Sequence, residues 1–155
     1  MYIYPMLRDE HSKYFGNYID RNYRLIRLTF LQAFKKAGAD ITTEQWVIIQ
    51  ALAQNNGLSQ AELATQSFKD APTVSRIINL LVEKGITTRK RSGDDRRRYQ
   101  ILLTDKGQAI YEQVLPSVLA LREQGWQGLS EDDYESFLRI MNQIFANFKQ
   151  LNEGE

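Results

Sequence analysis

The fold of this chain is decided by residues 58–107, which read LSQAELATQSFKDAPTVSRIINLLVEKGITTRKRSGDDRRRYQILLTDKG. Ser59, followed three residues later by Glu62, has the capping-box pattern that begins a helix. Asp70 indicates a second helix start, and Pro72 is tolerated in the first turn because the N–H it lacks has no intrahelical partner there. The segment therefore begins with two short helices joined by a turn.

A β-hairpin follows these two helices. Gly85 ends the second helix, and the runs 86–90 and 99–103 are short and rich in β-forming residues. The connection 91–98 contains a serine and a glycine, which allow a tight turn. The order helix, turn, helix, hairpin predicts a mainly α protein with a small β-hairpin.

Long helices are predicted on both sides of this segment. Residues 12–37 carry apolar side chains on more than one helical face. This pattern favours a second subunit that packs against one of these faces. Another helix begins at Thr42 or Thr43 and reaches about Gln54. The last helix begins at Ser130 and carries the clearest apolar stripe of the chain. The stripe consists of Tyr134, Phe137, Leu138, Met141, Ile144, Phe145 and Phe148.

Composition excludes several classes of protein. Cysteine is absent from the 155 residues, which removes disulfides, thiolate metal sites and thiol redox chemistry. The longest strongly apolar stretch, 46–53, is far shorter than the roughly 20 residues that cross a bilayer. The N-terminus also lacks the pattern of a secretory signal. We therefore expect a cytoplasmic protein with no membrane partner.

Positive charge is concentrated in the middle of the chain. Residues 57–103 hold nine Lys and Arg against five Asp and Glu, a balance of +4, whereas the rest of the chain has a balance of −3. This asymmetry within a chain of net charge +1 is typical of a local site for a polyanion. From charge alone, a solvated surface with chance clustering is the alternative.

The second helix of the central segment has the side chains needed to read DNA. Its apolar positions, which predict the face toward the core, are Val74, Ile77, Ile78 and Leu81. The opposite positions are Thr73, Ser75, Arg76 and Asn79. These residue types hydrogen-bond base edges or phosphates, and a helix fits the major groove, where base edges distinguish all four pairs. The helix from Ser59 would cross the DNA backbone with its N–H groups facing a phosphate, although such helix pairs also serve purely structural roles.

The hairpin strengthens the DNA interpretation. Residues 89–98 hold six cations and two carboxylates. An arginine at the tip of the hairpin can enter the minor groove, where narrow A·T-rich stretches concentrate negative potential. Asp95 could pair with Arg97 and hold its guanidinium in position. The alternative is a solvated charge run, but so many neighbouring cations repel one another unless a polyanion screens them.

These residues resemble the MarR family of winged-helix transcription regulators. The matching stretches are Leu58–Ala64 (LSQAELA), Thr73–Ile78 (TVSRII), Leu81–Ile86 (LVEKGI), and Asp95-Arg96-Arg97 leading to Leu103–Gly107 (LTDKG). The Asp-x-Arg pattern, followed six residues after the arginine by Leu-Thr and then Gly, is the specific part. The flanking helices also fit. The resemblance implies a winged helix-turn-helix with N- and C-terminal dimerisation helices.

The resemblance further implies a homodimer in which each winged helix reads one half of a pseudo-palindrome. Dimerisation helices then occupy 12–38 and 105–150, the DNA-binding domain occupies 42–104, and tails occupy 1–11 and 151–155. The residues expected at the dimer interface are Phe15, Ile19, Phe137, Met141, Ile144, Phe145 and Phe148. The residues expected to contact DNA are Ser59, Gln60, Pro72, Thr73, Ser75, Arg76, Asn79, Lys90, Arg91, Asp95, Arg96, Arg97 and Arg98.

Two positions depart from the family's pattern. Leu80 occupies a recognition-helix position where many members carry a polar or basic residue, which bears on the bases that are read. Ser67-Phe68-Lys69 replaces the more usual apolar-glycine turn, which bears on how the two helices cross.

The resemblance also implies small aromatic or anionic effectors, bound between the dimer base and the winged helix. The aromatic candidates are Tyr14, Tyr18, Tyr23 and Trp46. Such side chains are more often core or dimer interface. No cofactor is expected. His11 is the single histidine, which excludes a metal site of several histidines, and no phosphate loop or nucleophile–base pair indicates an enzyme.

Two functions remain from the sequence. The first is a dimeric, sequence-specific transcription regulator, interpreted as a repressor that a small-molecule effector releases from its operator. The second is an interaction module or antagonist that pairs with a related regulator and no longer reads DNA. Arg76 and the wing arginines favour the first, because a decoy has no need to keep them.

Overall fold

The structure, a computed structural model, describes residues 14–93 and 98–154. Within these ranges the chain forms six helices and one pair of strands. The elements are α1 Phe15–Lys36, α2 Thr43–Gln54, α3 Gln60–Ser67, α4 Ala71–Glu83, β1 Thr87–Arg91, β2 Tyr99–Leu103, α5 Asp105–Gly125 and α6 Glu131–Glu153. The predicted mainly α fold with a small β-hairpin is confirmed. None of the described helices is long and apolar enough to cross a membrane.

Side-chain caps begin the central helices where the sequence predicts them. Thr42 and Gln45 exchange hydrogen bonds at the start of α2, each 3.1 Å long. Ser59 and Glu62 exchange equivalent bonds at the start of α3. Each box satisfies backbone N–H groups that have no partner within the helix. The starts of α2 and α3 are therefore dictated by local sequence.

The turn between α3 and α4 contains a strained residue. Phe68 has φ 57°, in the left-handed region, and its side chain is 93% exposed. A residue with a Cβ pays about 1–2 kcal/mol in this conformation, which glycine adopts without that penalty. The departure at Ser67-Phe68-Lys69 therefore keeps the backbone shape of a glycine turn at a cost in stability.

The hairpin is held at its base by the loop before α3. β1 and β2 pair antiparallel, with Thr87 opposite Leu103. On the other edge of β2, the Gly57 N–H donates to the Ile101 carbonyl at 3.0 Å, and the Ile101 N–H donates to the Leu58 carbonyl at 2.9 Å. Gly57 has φ +91°, which glycine tolerates. Backbone hydrogen bonds therefore fix the hairpin relative to α3.

The first strand begins later than the sequence predicts. Ile86 is buried, its N–H donates to the Leu81 carbonyl at 2.9 Å, and its carbonyl accepts from the Thr104 N–H at 3.0 Å. These bonds close the end of α4 and join it to the residue that begins α5. As a result β1 begins at Thr87 and not at Ile86.

The chain divides into two compact units, one ending at Leu119 and one beginning at Ala120. The first unit contains the hydrophobic core, and the apolar stripe predicted for α4 is buried in it. The members of that stripe are Val74, Ile77, Ile78 and Leu81. α2 is buried on more than one side, because it packs against α1, α3, α4 and β2. Its Ile48 is fully buried as a result.

The second unit consists of the end of α5, a turn and α6. Ser130 and Asp133 form a capping box at the start of α6, and the helix begins where the sequence predicts it. Trp126 in the turn packs edge-on against Tyr134, with ring centroids 5.3 Å apart. None of the described residues of α6 is buried, so its apolar stripe lies at the surface of this unit.

The last helix runs into the tail predicted over 151–155, since it ends at Glu153. The Asn152 side-chain amide donates to the Phe148 carbonyl at 2.8 Å, and the Lys149 ammonium lies 3.6 Å from the Glu153 carboxylate. These contacts between residues four apart stabilise a final turn whose sequence is polar. The correction is local and leaves the element order unchanged.

Candidate nucleic-acid interface

α4 presents a polar face opposite its buried stripe. The Asp70 carboxylate accepts a hydrogen bond from the Thr73 N–H at 2.8 Å, and this contact with Thr73 holds the pKa of Asp70 below its ordinary value of 3.8. Pro72 and Arg76 are exposed, whereas Thr73 and Ser75 are half-buried. The N-terminal half of α4 therefore offers two hydroxyls and a guanidinium at the surface.

The start of α3 and the loop end of the hairpin form a shared cleft. Ser59, Gln60 and Arg98 line this cleft, which has a volume of about 630 Å³. Ser59 also forms a bridge with Gln100 on β2. The cleft therefore brings together two polar side chains from the start of α3 and one cation of the hairpin, all three of which the sequence assigns to DNA contact.

The capping box changes what α3 offers to a phosphate. The Ser59 N–H donates to the Glu62 carboxylate at 2.8 Å, and the Glu62 N–H donates to the Ser59 hydroxyl at 3.1 Å. A phosphate at this helix end must therefore use the N–H groups of Gln60 and Ala61. It would also meet the negative charge of Glu62, which weakens the contact that the sequence predicts here.

The hairpin places cations at the surface. Lys90, Arg91 and Arg98 are exposed, and the Ser92 N–H donates to the Arg98 carbonyl at 3.0 Å. This bond closes the base of the loop between the strands. Three of the predicted wing contacts lie outside the described residues: Asp95, Arg96 and Arg97. Their contacts with DNA stay predictions.

Asn79 is exposed on α4, but its side-chain oxygen is engaged. Nη2 of Arg89 on β1 donates to Oδ1 of Asn79. Arg89 is half-buried and lies opposite Ile101, which is fully buried. Arg89 is not among the residues that the sequence predicts to contact DNA. The period of two along β1 places Arg89 on the same face of the strand as buried Thr87, but it does not indicate the contact with Asn79.

The four aromatic effector candidates lie in three different places. Tyr14 and Tyr18 line one shallow depression of about 290 Å³, and Tyr23 lines another of about 410 Å³. Trp46 is only 4% exposed and stacks on Tyr111, with ring centroids 5.5 Å apart. The four side chains therefore do not line a common pocket within this chain.

The depression at Tyr23 has a charged centre. The Glu44 carboxylate accepts from the Tyr23 hydroxyl at 3.4 Å and lies 3.6 Å from Nε of Arg27. Partial burial raises the pKa of Glu44, but a hydrogen bond from its own backbone and the Arg27 charge outweigh burial and hold the pKa below 4.5. Within residues 14–93 and 98–154, no cluster of three or more His, Cys, Asp or Glu could hold a metal ion, and His11 lies outside these ranges.

The residues expected at the dimer interface are surface residues of their units. The exposed ones are Phe15, Phe137, Phe145 and Phe148. The half-buried ones are Ile19, Met141 and Ile144. Helices α1 and α6 therefore present large apolar side chains at the surfaces of their units.

Relatives in sequence are named as transcription regulators. The sequence model of the MarR family matches residues 39–98. The HTH-type transcriptional regulator FarR of Neisseria gonorrhoeae is 36% identical over 76 residues, which make up 49% of this chain and 52% of that protein. The chain thus spans about half the length of this relative.

Similar solved structures cover most of this chain. The PcaV transcriptional regulator from Streptomyces coelicolor, solved with its natural ligand, superposes with a TM-score of 0.77 over 89% of this chain and 96% of its own. At 18% identity, this likeness shows the fold. The transcriptional repressor CouR, solved on a 23-mer DNA duplex, has a TM-score of 0.73 and is 26% identical over 87% of this chain and 94% of its own.

Proposed function

Since this chain belongs to the MarR family of transcription regulators, we propose that it is a homodimeric, sequence-specific DNA-binding repressor acting in the cytoplasm. The observation that carries the proposal is the division of α4 into two faces. Its apolar stripe is buried, while Arg76 is exposed beside the hydroxyls of Thr73 and Ser75. A helix with this division packs on the protein and leaves hydrogen-bonding groups for base edges.

In the proposed complex, the N-terminal half of α4 lies in the major groove. Arg76 is suited to a guanine, and Thr73 and Ser75 are suited to base edges or phosphates. The hairpin follows the adjacent backbone with its exposed Lys90 and Arg91. Arg97 is proposed to enter the minor groove, where negative potential is concentrated.

Dimerisation is supported by exposed apolar side chains on α1 and α6. Phe15 is 44% exposed on α1, and Phe145 is 65% exposed on α6. Large apolar side chains along a helix at this exposure mark a surface that another molecule covers. A second copy of the chain gives two reading helices related by symmetry, which matches a pseudo-palindromic operator.

Release by a small aromatic or anionic ligand is proposed for the depression at Tyr23. The Tyr23 ring and the guanidinium of Arg27 line it and suit a carboxylate attached to an aromatic ring, which would compete with the Glu44 carboxylate for Arg27. The PcaV regulator, which has a similar fold, was solved with its natural ligand. An antagonist that no longer reads DNA is less well supported, because such a protein does not need the exposed Arg76 on α4.

Selection of bound fragments from a randomised DNA pool tests the function. We expect an enriched pseudo-palindrome with half-site centres about one helical turn, roughly 10 base pairs, apart. The Arg76→Ala variant, selected in parallel, should enrich that site weakly or not at all. A pool from which the wild-type protein enriches no sequence would contradict the proposal and favour the antagonist.

A further inference from the structure

We propose that Arg89 binds a DNA phosphate beside the recognition helix α4, and that Asn79 positions its guanidinium for that contact. This inference rests on the DNA-binding function proposed above. It assigns a DNA contact to Arg89, and it changes the role expected for Asn79 from base reading to positioning.

The contact between the two residues joins α4 to the hairpin. Oδ1 of Asn79 accepts from Nη2 of Arg89, and the two residues belong to different elements of the winged helix. A guanidinium carries only donors, so the amide oxygen of Asn79 must face it. The orientation of the Asn79 amide is therefore set by Arg89.

This orientation excludes the usual way in which asparagine reads DNA. An asparagine that recognises adenine uses its oxygen to accept from N6 and its amide to donate to N7. The oxygen of Asn79 is already engaged by Arg89. Reading adenine with both groups would require Asn79 to release a charge-assisted hydrogen bond, which is among the stronger kinds.

Arg89 keeps donors for a second partner. The guanidinium has five N–H donors, and the bond to Asn79 uses one of them. Within residues 14–93 and 98–154, no carboxylate pairs with Arg89. Its neighbours along β1, Lys90 and Arg91, are exposed cations. A planar guanidinium fixed on one side by a neutral amide is suited to a phosphate on its other side.

The salt dependence of binding distinguishes this role from base reading. The slope of log affinity against log salt is negative, and each phosphate contact that is lost reduces its magnitude by about 0.9. A lower slope here means a weaker dependence on salt. Asn79 has no charge, so Asn79→Ala can change that slope only through another residue. We expect Asn79→Ala and Arg89→Ala each to weaken operator binding, roughly tenfold, and each to lower the slope for every protomer bound.

The experiment titrates the selected operator with wild type, Asn79→Ala, Arg89→Ala and the double variant at several salt concentrations. In the double variant, loss of Asn79 should add nothing to the loss of Arg89. Thr88→Ala is the matched control, because Thr88 is a neutral, exposed residue of β1 with no assigned DNA contact, and it should leave the slope unchanged. Arg89→Lys keeps the charge and should restore most of the slope, and thermal melting checks that each variant is folded.

Two results would overturn the inference. One is an Asn79→Ala variant with a wild-type slope, above all if its loss of affinity appears only at one base pair. The other is a folded Arg89→Ala variant with wild-type affinity and slope. Failure of the proposed function is read separately, from a wild-type protein that shows no preference for any sequence.

Discussion

A Cβ atom on Gly107 would lie 2.2 Å from the carbonyl oxygen of Ile86. The first turn of α5 therefore packs directly on the backbone that connects α4 to β1. Glycine is needed here for close approach and not for an unusual backbone angle. The glycine that closes the Leu-Thr-x-x-Gly motif has a packing role that the motif alone does not reveal.

The Gly107→Ala variant should unfold more easily. An added methyl group must displace the Ile86 backbone, and overpacking of this kind costs about 1–3 kcal/mol of unfolding free energy. Urea denaturation measures the loss. Gly16→Ala is the control, because a Cβ there meets nothing within 4 Å. Equal stabilities of the two variants would show that the approach of Gly107 to Ile86 does not exclude a Cβ atom.

Replacing Phe68 with glycine should stabilise the protein. The left-handed backbone of Phe68 lowers the free energy of unfolding by about 1–2 kcal/mol when a Cβ is present. The ring is exposed, so its burial offsets little of this loss. We expect Phe68→Gly to raise the free energy of unfolding by about 1 kcal/mol. Phe68→Ala removes the ring but keeps the Cβ, so it should resemble wild type. A gain for alanine equal to that for glycine would assign the effect to the ring.

Arg76→Ala should weaken specific binding by about 1–3 kcal/mol if Arg76 reads a base. The loss should be largest on the selected operator and small on operators already changed at the contacted base pair. Gel-shift titration at fixed salt provides the measurement. Arg24→Ala on α1 is the charge-matched control, since Arg24 pairs with Asp20 at 3.0 Å. Equal losses in both variants would indicate a general charge effect.

Acid should remove the contribution of Asp70 to the start of α4. Its pKa is lowered in the folded protein, so its carboxylate stabilises the fold above the ordinary value of 3.8. That contribution is lost as the pH falls through the lowered pKa. Asp70→Asn retains a cap without a charge. Melting temperatures should show wild type losing stability relative to Asp70→Asn between neutral pH and about pH 3; a constant difference would contradict this.

Phe145→Asp should separate the proposed dimer into monomers. Phe145 is 65% exposed, so the change adds a charge to the apolar stripe of α6 without opening the core. Sedimentation velocity measures the mass, and operator binding should weaken because two half-sites are no longer bound together. Gln150→Asp adds the same charge on the polar side of α6. A dimer of unchanged stability would move the interface away from this stripe.

Local signals explain which parts of the fold could be predicted. Ser59 with Glu62 and Ser130 with Asp133 carry both halves of a capping box within four residues, so the helix starts follow from sequence alone. The buried stripe of α4 likewise follows from helical spacing. These features need no knowledge of distant parts of the chain.

The remaining features depend on contacts between distant residues. The backbone of Ile86 is hydrogen-bonded to Leu81 and Thr104, so Ile86 does not pair in the strand. The side chain of Arg89 on β1 donates a hydrogen bond to Asn79 on α4. Trp46 is an effector candidate by residue type, but its burial against Tyr111 depends on how α2 packs on α5. No local pattern encodes any of these contacts.

The backbone bonds between the loop at Gly57 and β2 have a genetic consequence. The angle between α3 and the hairpin is set by main-chain hydrogen bonds among Gly57, Leu58 and Ile101. Substitutions in this loop can therefore tilt the hairpin while every predicted DNA-contacting side chain stays intact. Replacement of Gly57 is the severest case, since its φ of +91° disfavours any other residue. Alleles that abolish regulation should therefore also arise in this loop, and they would resemble contact mutants in the cell while producing a stable, folded protein.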